Sequence, residues 1–255
     1  MRGQAPYWID PRDKSYRFPN VRLALREPDG LLAIGGDLSP ERLESAYRQG
    51  IFPWFNHDQP ILWWAPDPRM VLFPENLKIS HSLRKTLRKR LFRVTMDQAF
   101  NEVIEACSEP RQIDGGDIPG TWITPEMKAA YGDLHQRGLA HSVECWQDDE
   151  LVGGLYGVGI GRVFFGESMF TRRTDASKVA FVHLVRQLAY WDFTVIDCQI
   201  HSGHLASLGA ESISRERFSQ LLDQYCGAEG KTGQWVLDNP ETLLDNLFTL
   251  PASEK

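Results

Sequence analysis

The chain has 255 residues, of which 42% are hydrophobic, 24% charged and 11% aromatic, and its formal net charge is -6. That balance is ordinary for a globular protein and excludes a disordered, collagenous or coiled-coil chain. The acidic surplus also excludes a protein that coats nucleic acid over its whole surface, while leaving room for a local basic patch.

The first 19 residues carry scattered charges and no apolar core, unlike a signal peptide. No later run approaches the ~20 apolar residues of a membrane span. From Pro19 to Arg69 the sequence is dense in Pro, Gly and Trp, with one helix. Ser39 is its expected N-cap and Pro40 its first position; Leu43, Ala46 and Tyr47 make one face, and Gly50 ends it. Prolines forbid helix across Ile51–Phe55 and Ile61–Arg69. Three of the eight tryptophans fall between positions 54 and 64, fitting either core packing or an aromatic wall for a planar ligand.

From Val71 onward helices and strands alternate. Helices are predicted near 81–90 and 97–107. Another is capped by Thr124, carries Met127, Tyr131 and Leu134, and stops at Gly138. Strands are predicted over His141–Trp146, Leu151–Val158 and Arg162–Phe170, with a hairpin turn at Gly159–Gly161. Asp175 or Ser177 caps a long helix to about Trp191. A strand, Thr194–Ile200, then precedes helices near 214–225 and 240–248. The order predicts a mixed α/β (α+β) fold, helices packed on a largely antiparallel sheet.

Six Lys and Arg side chains and no acid occupy positions 81–93, an inversion of the overall charge. Leu83, Leu87 and Leu91 give this stretch an apolar face. The basic remainder is either a solvated surface or a phosphate-binding face. The glycines from Gly153 to Gly161 contain no G-x-G-x-x-G and lie between strands, so they suggest close approach to a strand rather than a dinucleotide loop. Glu167 and Asp197 are carboxylates inside apolar strands, with Gln199 expected on the same face as Asp197. They form either a buried hydrogen-bond network or the polar end of an apolar pocket. A cysteine-hydrolase site is disfavoured, since alternation turns Cys198 away from Asp197. The four cysteines, far apart and without a C-x-x-C pair, read as free thiols of a reducing cytoplasm; no zinc spacing occurs.

Several motifs in collinear order carry a resemblance. They are Arg22-Leu-Ala-Leu-Arg-Glu-Pro-Asp-Gly-Leu-Leu-Ala-Ile-Gly-Gly-Asp-Leu-Ser39, Ala46-Tyr-Arg-Gln-Gly-Ile-Phe-Pro-Trp-Phe55, Trp63-Trp-Ala-Pro-Asp-Pro-Arg69, Gly120-Thr-Trp-Ile-Thr124, Gly166-Glu-Ser-Met-Phe170, Ile196-Asp-Cys-Gln199 and Ser207-Leu-Gly-Ala210. From about residue 17 to 226 the chain thereby resembles the bacterial leucyl/phenylalanyl-tRNA–protein transferases. The resemblance implies transfer of Leu or Phe, and less well Met, from aminoacyl-tRNA to proteins with N-terminal Arg or Lys, which marks them for degradation. It implies a small N-terminal domain, residues 1–70, and a GNAT-type catalytic domain, residues 71–255, with no metal and no acetyl-CoA. In keeping with this, Thr174-Asp-Ala-Ser-Lys178 stands where an acyl-CoA enzyme has its pyrophosphate loop.

By matching positions, Leu155, Phe164, Gly166, Phe181, Leu184, Leu188 and Ile196 would form the pocket for the esterified side chain, with Trp54 and Trp122 near the terminal adenosine. Arg84, Lys85, Arg88, Lys89 and Arg90 would hold tRNA phosphates, which carry little base identity. Asp197, with Gln199, would orient the amine and help take its proton, and Glu167 would hold the basic acceptor residue or the ribose. A cytoplasmic monomer is expected. Two features depart from relatives: a longer loop between Cys107 and Trp122, and Ser202 where some carry Asn. An acyl-CoA-dependent N-acyltransferase and a non-catalytic RNA-binding module are the alternatives.

Overall fold

A computed structural model describes residues 5–109, 112–113, 116–117, 122–238 and 244. The chain opens with β1 (Tyr7–Ile9), a 3-10 turn (Val21–Leu23), β2 (Leu31–Gly35), α1 (Pro40–Tyr47), β3 (Phe52–Pro53) and β4 (Leu62–Trp64). Then come β5 (Arg69–Leu72), a second 3-10 turn (Pro74–Asn76), α2 (His81–Arg88), β6 (Arg93–Met96), α3 (Phe100–Ser108), β7 (Gln112–Ile113), β8 (Gly116–Asp117) and α4 (Pro125–Gln136). The remainder is β9 (Ala140–Gln147), β10 (Glu150–Ile160), β11 (Val163–Thr171), α5 (Ala176–Tyr190), β12 (Val195–Gln199), α6 (Gly203–Ser207), β13 (Glu211–Ile213) and α7 (Arg215–Tyr225).

β1, β2, β4 and β3 form a four-stranded sheet, and seven strands form the main one in the order β13-β5-β12-β11-β10-β9-β6. Its pairs are antiparallel except β11 with β12. This is the mixed, largely antiparallel architecture expected from sequence. Strand alternation builds its two cores. Leu155 and Phe164 join Leu83, Leu87, Phe181 and Leu184 of α2 and α5 on one face. Their sequence neighbours Tyr156 and Phe165 join Tyr47, Val103 and Tyr131 of α1, α3 and α4 on the other.

The fork between β11 and β12 decides where a ligand can enter. Their pairing ends at Phe165 opposite Asp197, although β11 runs on to Thr171. Past that point the strands part. A bulge between Tyr156 and Gly157 turns the neighbouring strand at the same level. Gly157 is required there: a Cβ would fall 2.2 Å from the Phe165 carbonyl oxygen and 2.5 Å from the Phe164 ring. Farther along the sheet Asp97 fastens the segment around Trp235. Its carboxylate accepts from the backbone N–H of Ser142 (2.8 Å) and Trp235 (2.7 Å) and bonds His141 Nδ1 (2.8 Å). Trp235 stacks on the His141 ring at 3.7 Å.

Several local expectations change. α2 ends at Arg88, because Arg90 takes a left-handed φ of 48°, and Leu91 is exposed instead of extending the apolar face. α3 starts at Phe100 because Asp97 has a φ of 53°. Thr124 caps α4 as expected, accepting from Met127 N–H at 3.3 Å. Ser39 precedes α1 without a side-chain cap bond, its own N–H donating to Asp37 at 2.9 Å. Asp175 precedes α5 the same way: its carboxylate accepts instead from Thr86 and Lys178, both at 2.9 Å. β10 runs on through Gly159 and Ile160, so the β10–β11 turn starts two residues later than expected, at Gly161–Arg162. Strands β2, β4, β5, β6 and β13 were not legible, being short and without clear alternation. The 240–248 helix, apart from Leu244, and most of the longer loop lie outside the described residues.

Candidate active site

The fork opens into a cavity of about 480 Å³. β10 and β11 contribute Leu155 and Phe164, α5 contributes Phe181 and Leu184, and β12 contributes Ile196, making an apolar wall. Gly166, Trp54 and Trp122 also line it, so eight of the expected pocket residues meet in one space. Leu188 does not. It is fully buried one turn beyond Leu184, and the 5.4 Å rise of a turn carries it past the fork into the core behind. Trp54 is 42% exposed and Ile200 49%, which marks the open side. The Trp64 indole N–H holds the Trp54 carbonyl at 2.7 Å.

The polar end of the cavity is made by Glu167, Asp197 and Gln199, drawn from the two strands that part. Glu167 Oε1 accepts from the Tyr47 hydroxyl at 2.8 Å and from Gln199 Nε2 at 2.9 Å. Its Oε2 lies 2.8 Å from the Tyr131 hydroxyl, and the two tyrosine hydroxyls also bond each other. Burial dominates over these contacts and pushes the Glu167 carboxyl up to about 8. Tyr47, Tyr131 and Tyr156 are pushed above the usual phenol range by burial and then by Glu167. Gln199 reaches Glu167 because the backbone there takes a φ of 62° at a bulge. The bulge, rather than simple alternation, puts it beside Asp197.

Asp197 is differently placed from the expectation. It is fully buried, and Arg69 Nε and Nη2 donate to its two oxygens at 2.7 and 2.6 Å. The guanidinium lies between the rings of Phe52 and Phe218, at 4.7 and 4.9 Å. Oδ1 also accepts the Gln199 N–H at 2.9 Å. A carboxylate tied this way on both oxygens holds its partners in place, and the proton-accepting role expected of it does not fit. What it holds, besides Arg69, is the backbone of Gln199. Cys198 lines the cavity too, but burial pushes its thiol well above the usual range, which suits a packing residue rather than a nucleophile.

Arg69, Tyr47, Tyr131 and Tyr156 join the site without having been expected in it. Arg69 ends the Trp63–Arg69 motif, and Tyr47 and Tyr131 stand on predicted helix faces, where an apolar ring explains their position and conceals the role of the hydroxyl. The basic stretch lies on α2 and just after it. Lys85, Arg88, Lys89 and Arg90 are exposed and Arg84 is partly buried, its Nε donating to the Ile79 carbonyl at 3.3 Å. Leu83 and Leu87 pack with α5, so the basic strip is one helix removed from the cavity.

The chamber is apolar along its walls, ends in fixed hydrogen-bonding groups and holds its one thiol neutral, the arrangement of a pocket that can position an apolar group. Comparison with known proteins gives the family. Residues 71–223 match the leucyl/phenylalanyl-tRNA protein transferase model and residues 36–67 its N-terminal domain model. A leucyl/phenylalanyl-tRNA–protein transferase of Nitrosomonas europaea is 60% identical over 221 residues, 87% of this chain and 92% of that protein. One from Nitrosospira multiformis is 58% identical over 224 residues, 88% and 95% of the two chains. The chain belongs to the leucyl/phenylalanyl-tRNA–protein transferase family. Among solved structures, a GCN5-related N-acetyltransferase from Kribbella flavida matches with a TM-score of 0.37 at 12% identity, over 69% of this chain and 61% of that one. Among the described residues no helix is long and apolar enough to cross a membrane.

Proposed function

We propose that this chain transfers leucine or phenylalanine, and less well methionine, from aminoacyl-tRNA to the α-amine of proteins that begin with Arg or Lys, creating a degradation tag. The observation that carries the reading is the apolar cavity of about 480 Å³ that ends on Glu167 and Gln199. It suits an aliphatic or aromatic apolar side chain and rejects charged ones by their desolvation cost. It discriminates little among apolar groups, since a methylene is worth only about 1–3 kcal/mol.

The esterified side chain sits among Leu155, Phe164, Phe181, Leu184 and Ile196, and Trp54 and Trp122 flank the terminal adenosine. Gln199 and Glu167 face the incoming N-terminus. The ester is already activated, so positioning the amine is the main task. Arg84, Lys85, Arg88, Lys89 and Arg90 hold tRNA phosphates. With this reading go a small domain of residues 1–70 and a GNAT-type catalytic domain of residues 71–255, working as a cytoplasmic monomer. The separate sheets on either side of residues 64–69 support that division.

The acyl-CoA alternative is weakened by Asp175. Its carboxylate occupies the start of α5, where a pyrophosphate would need free N–H groups and positive potential. The test is transfer of labelled Phe from Phe-tRNA to a protein beginning with Arg, beside one beginning with Ala. Transfer to the Arg protein alone is expected; no transfer to either overturns the reading.

A further inference from the structure

The hydroxyls of Tyr47 and Tyr131 and the carboxyl of Glu167 form a closed triangle of hydrogen-bond contacts. Tyr47 meets Oε1 and Tyr131 meets Oε2, each at 2.8 Å, and the two hydroxyls meet each other. Three such contacts need three protons, and two tyrosines supply two. If Glu167 were ionised, one contact would set lone pair against lone pair in a buried place. With a proton on Oε2, the ring closes: Oε2–H donates to Tyr131, Tyr131 to Tyr47, and Tyr47 to Oε1. Oε1 is then a carbonyl oxygen, free to accept Gln199 Nε2 as well, at 2.9 Å.

We propose that Glu167 rests as a neutral acid in the empty site, and that a cationic acceptor N-terminus binds by displacing its proton to solvent. This rests on the reading of Glu167 as the partner of the basic acceptor residue. Acceptor recognition is thereby a proton-releasing step. The groups around the ring agree. Asp197 on β12 and Arg69 on β5 cancel each other. Tyr156 on β10 is buried with an unpartnered hydroxyl, the Cys198 thiol stays protonated, and His204 of α6 lines the same cavity. None of these supplies an uncompensated cation to hold Glu167 ionised when the site is empty. Burial favours the same state, holding the carboxyl up to about 8. An acceptor beginning with Ala brings no side-chain cation to exchange for the proton.

Infrared spectroscopy and calorimetry test this together. The wild-type protein should show a protonated-carboxyl C=O band at neutral pH that fades above about 8, and Glu167→Gln should lack it. Glutamine can donate to Tyr131 and accept from Tyr47, so that variant keeps the ring and its fold. Binding of an Arg-initiated peptide, titrated in two buffers of different ionisation heat, should release about one proton in the wild type and none in Glu167→Gln. Absence of the band at neutral pH overturns the neutral acid. A band that persists with peptide bound, without proton release, overturns the displacement. If Glu167→Gln instead leaves peptide affinity unchanged while the wild-type band is present, the acceptor-partner reading fails and the ring stands.

Discussion

Arg69 and Asp197 bury a complete ion pair at the polar end of the cavity, and removing either half strands the other. Asp197→Asn leaves Arg69 facing a neutral amide between two aromatic rings, and should cost about 3–5 kcal/mol in urea unfolding. Transfer should fall with it, because Arg69 loses half of its bidentate pairing and the polar end of the cavity loses its fixed geometry. An Asp197→Asn protein as stable as the wild type, yet inactive, would instead return Asp197 to the chemistry. Glu167 makes a separate prediction. In the unfolded chain its carboxyl titrates at about 4.3; in the fold it keeps its proton up to about 8. Between those values the folded state binds more protons, so stability falls as pH rises through that window and levels off above it. Glu167→Gln should remove this part of the slope in pH-dependent denaturation. Sequence exposed Glu167, Asp197 and Gln199 because polar residues in apolar strands stand out. Their partners did not stand out: Arg69 lies 128 positions from Asp197, and Tyr47 lies 120 from Glu167.

β10, β11 and α5 shape the chamber, and each is sensitive at one position. Gly157→Ala would drive a methyl into the Phe165 carbonyl and the Phe164 ring. Overpacking of that kind should cost about 3 kcal/mol and close the fork, read as a lower Tm and lost transfer. Phe181→Ala enlarges the chamber from the helix side. Loss of a buried aromatic should destabilise by about 3–5 kcal/mol. Leucine should lose more transfer efficiency than phenylalanine, since it fills the enlarged space less well; equal losses in competition between Leu-tRNA and Phe-tRNA would place Phe181 outside the specificity wall. The long elements were legible because their periodicities are clean, as in α4 and the β9–β10–β11 hairpins. Short strands such as β5 and β13 were not: they are defined by neighbours distant in sequence rather than by their own pattern. Leu188, expected in the pocket by its matching position, lies in the core outside the cavity lining; the depth of the fork is a property of the sheet.

Across the whole molecule, the net charge of -6 averages over unlike surfaces. The strip around α2 is basic and exposed, while the carboxyls nearest the cavity are paired or protonated. Neutralising Lys85, Arg88 and Lys89 to Gln should weaken tRNA binding and flatten its salt dependence by roughly one unit of slope per lost phosphate contact. Acceptor-peptide affinity should be unaffected. Unchanged tRNA binding would make the strip a plain solvated surface. The strip was legible as a run in the sequence, whereas the hydrogen-bond partners of the site's carboxyls were not, since they come from α1, α4 and β5.

That assembly has a consequence for how the protein is made. β5 leaves the ribosome early, yet both strands that flank it, β12 and β13, are encoded after residue 194. Until β12 arrives, Arg69 lacks Asp197, the carboxylate that it pairs with in the fold. A copy arrested before β12 already holds Trp54, Trp122, the basic helix and Glu167, but neither Asp197 nor Gln199. Copies terminated before β12 therefore never form the polar end of the cavity, whose buried ion pair closes only when residues 195–199 have been added.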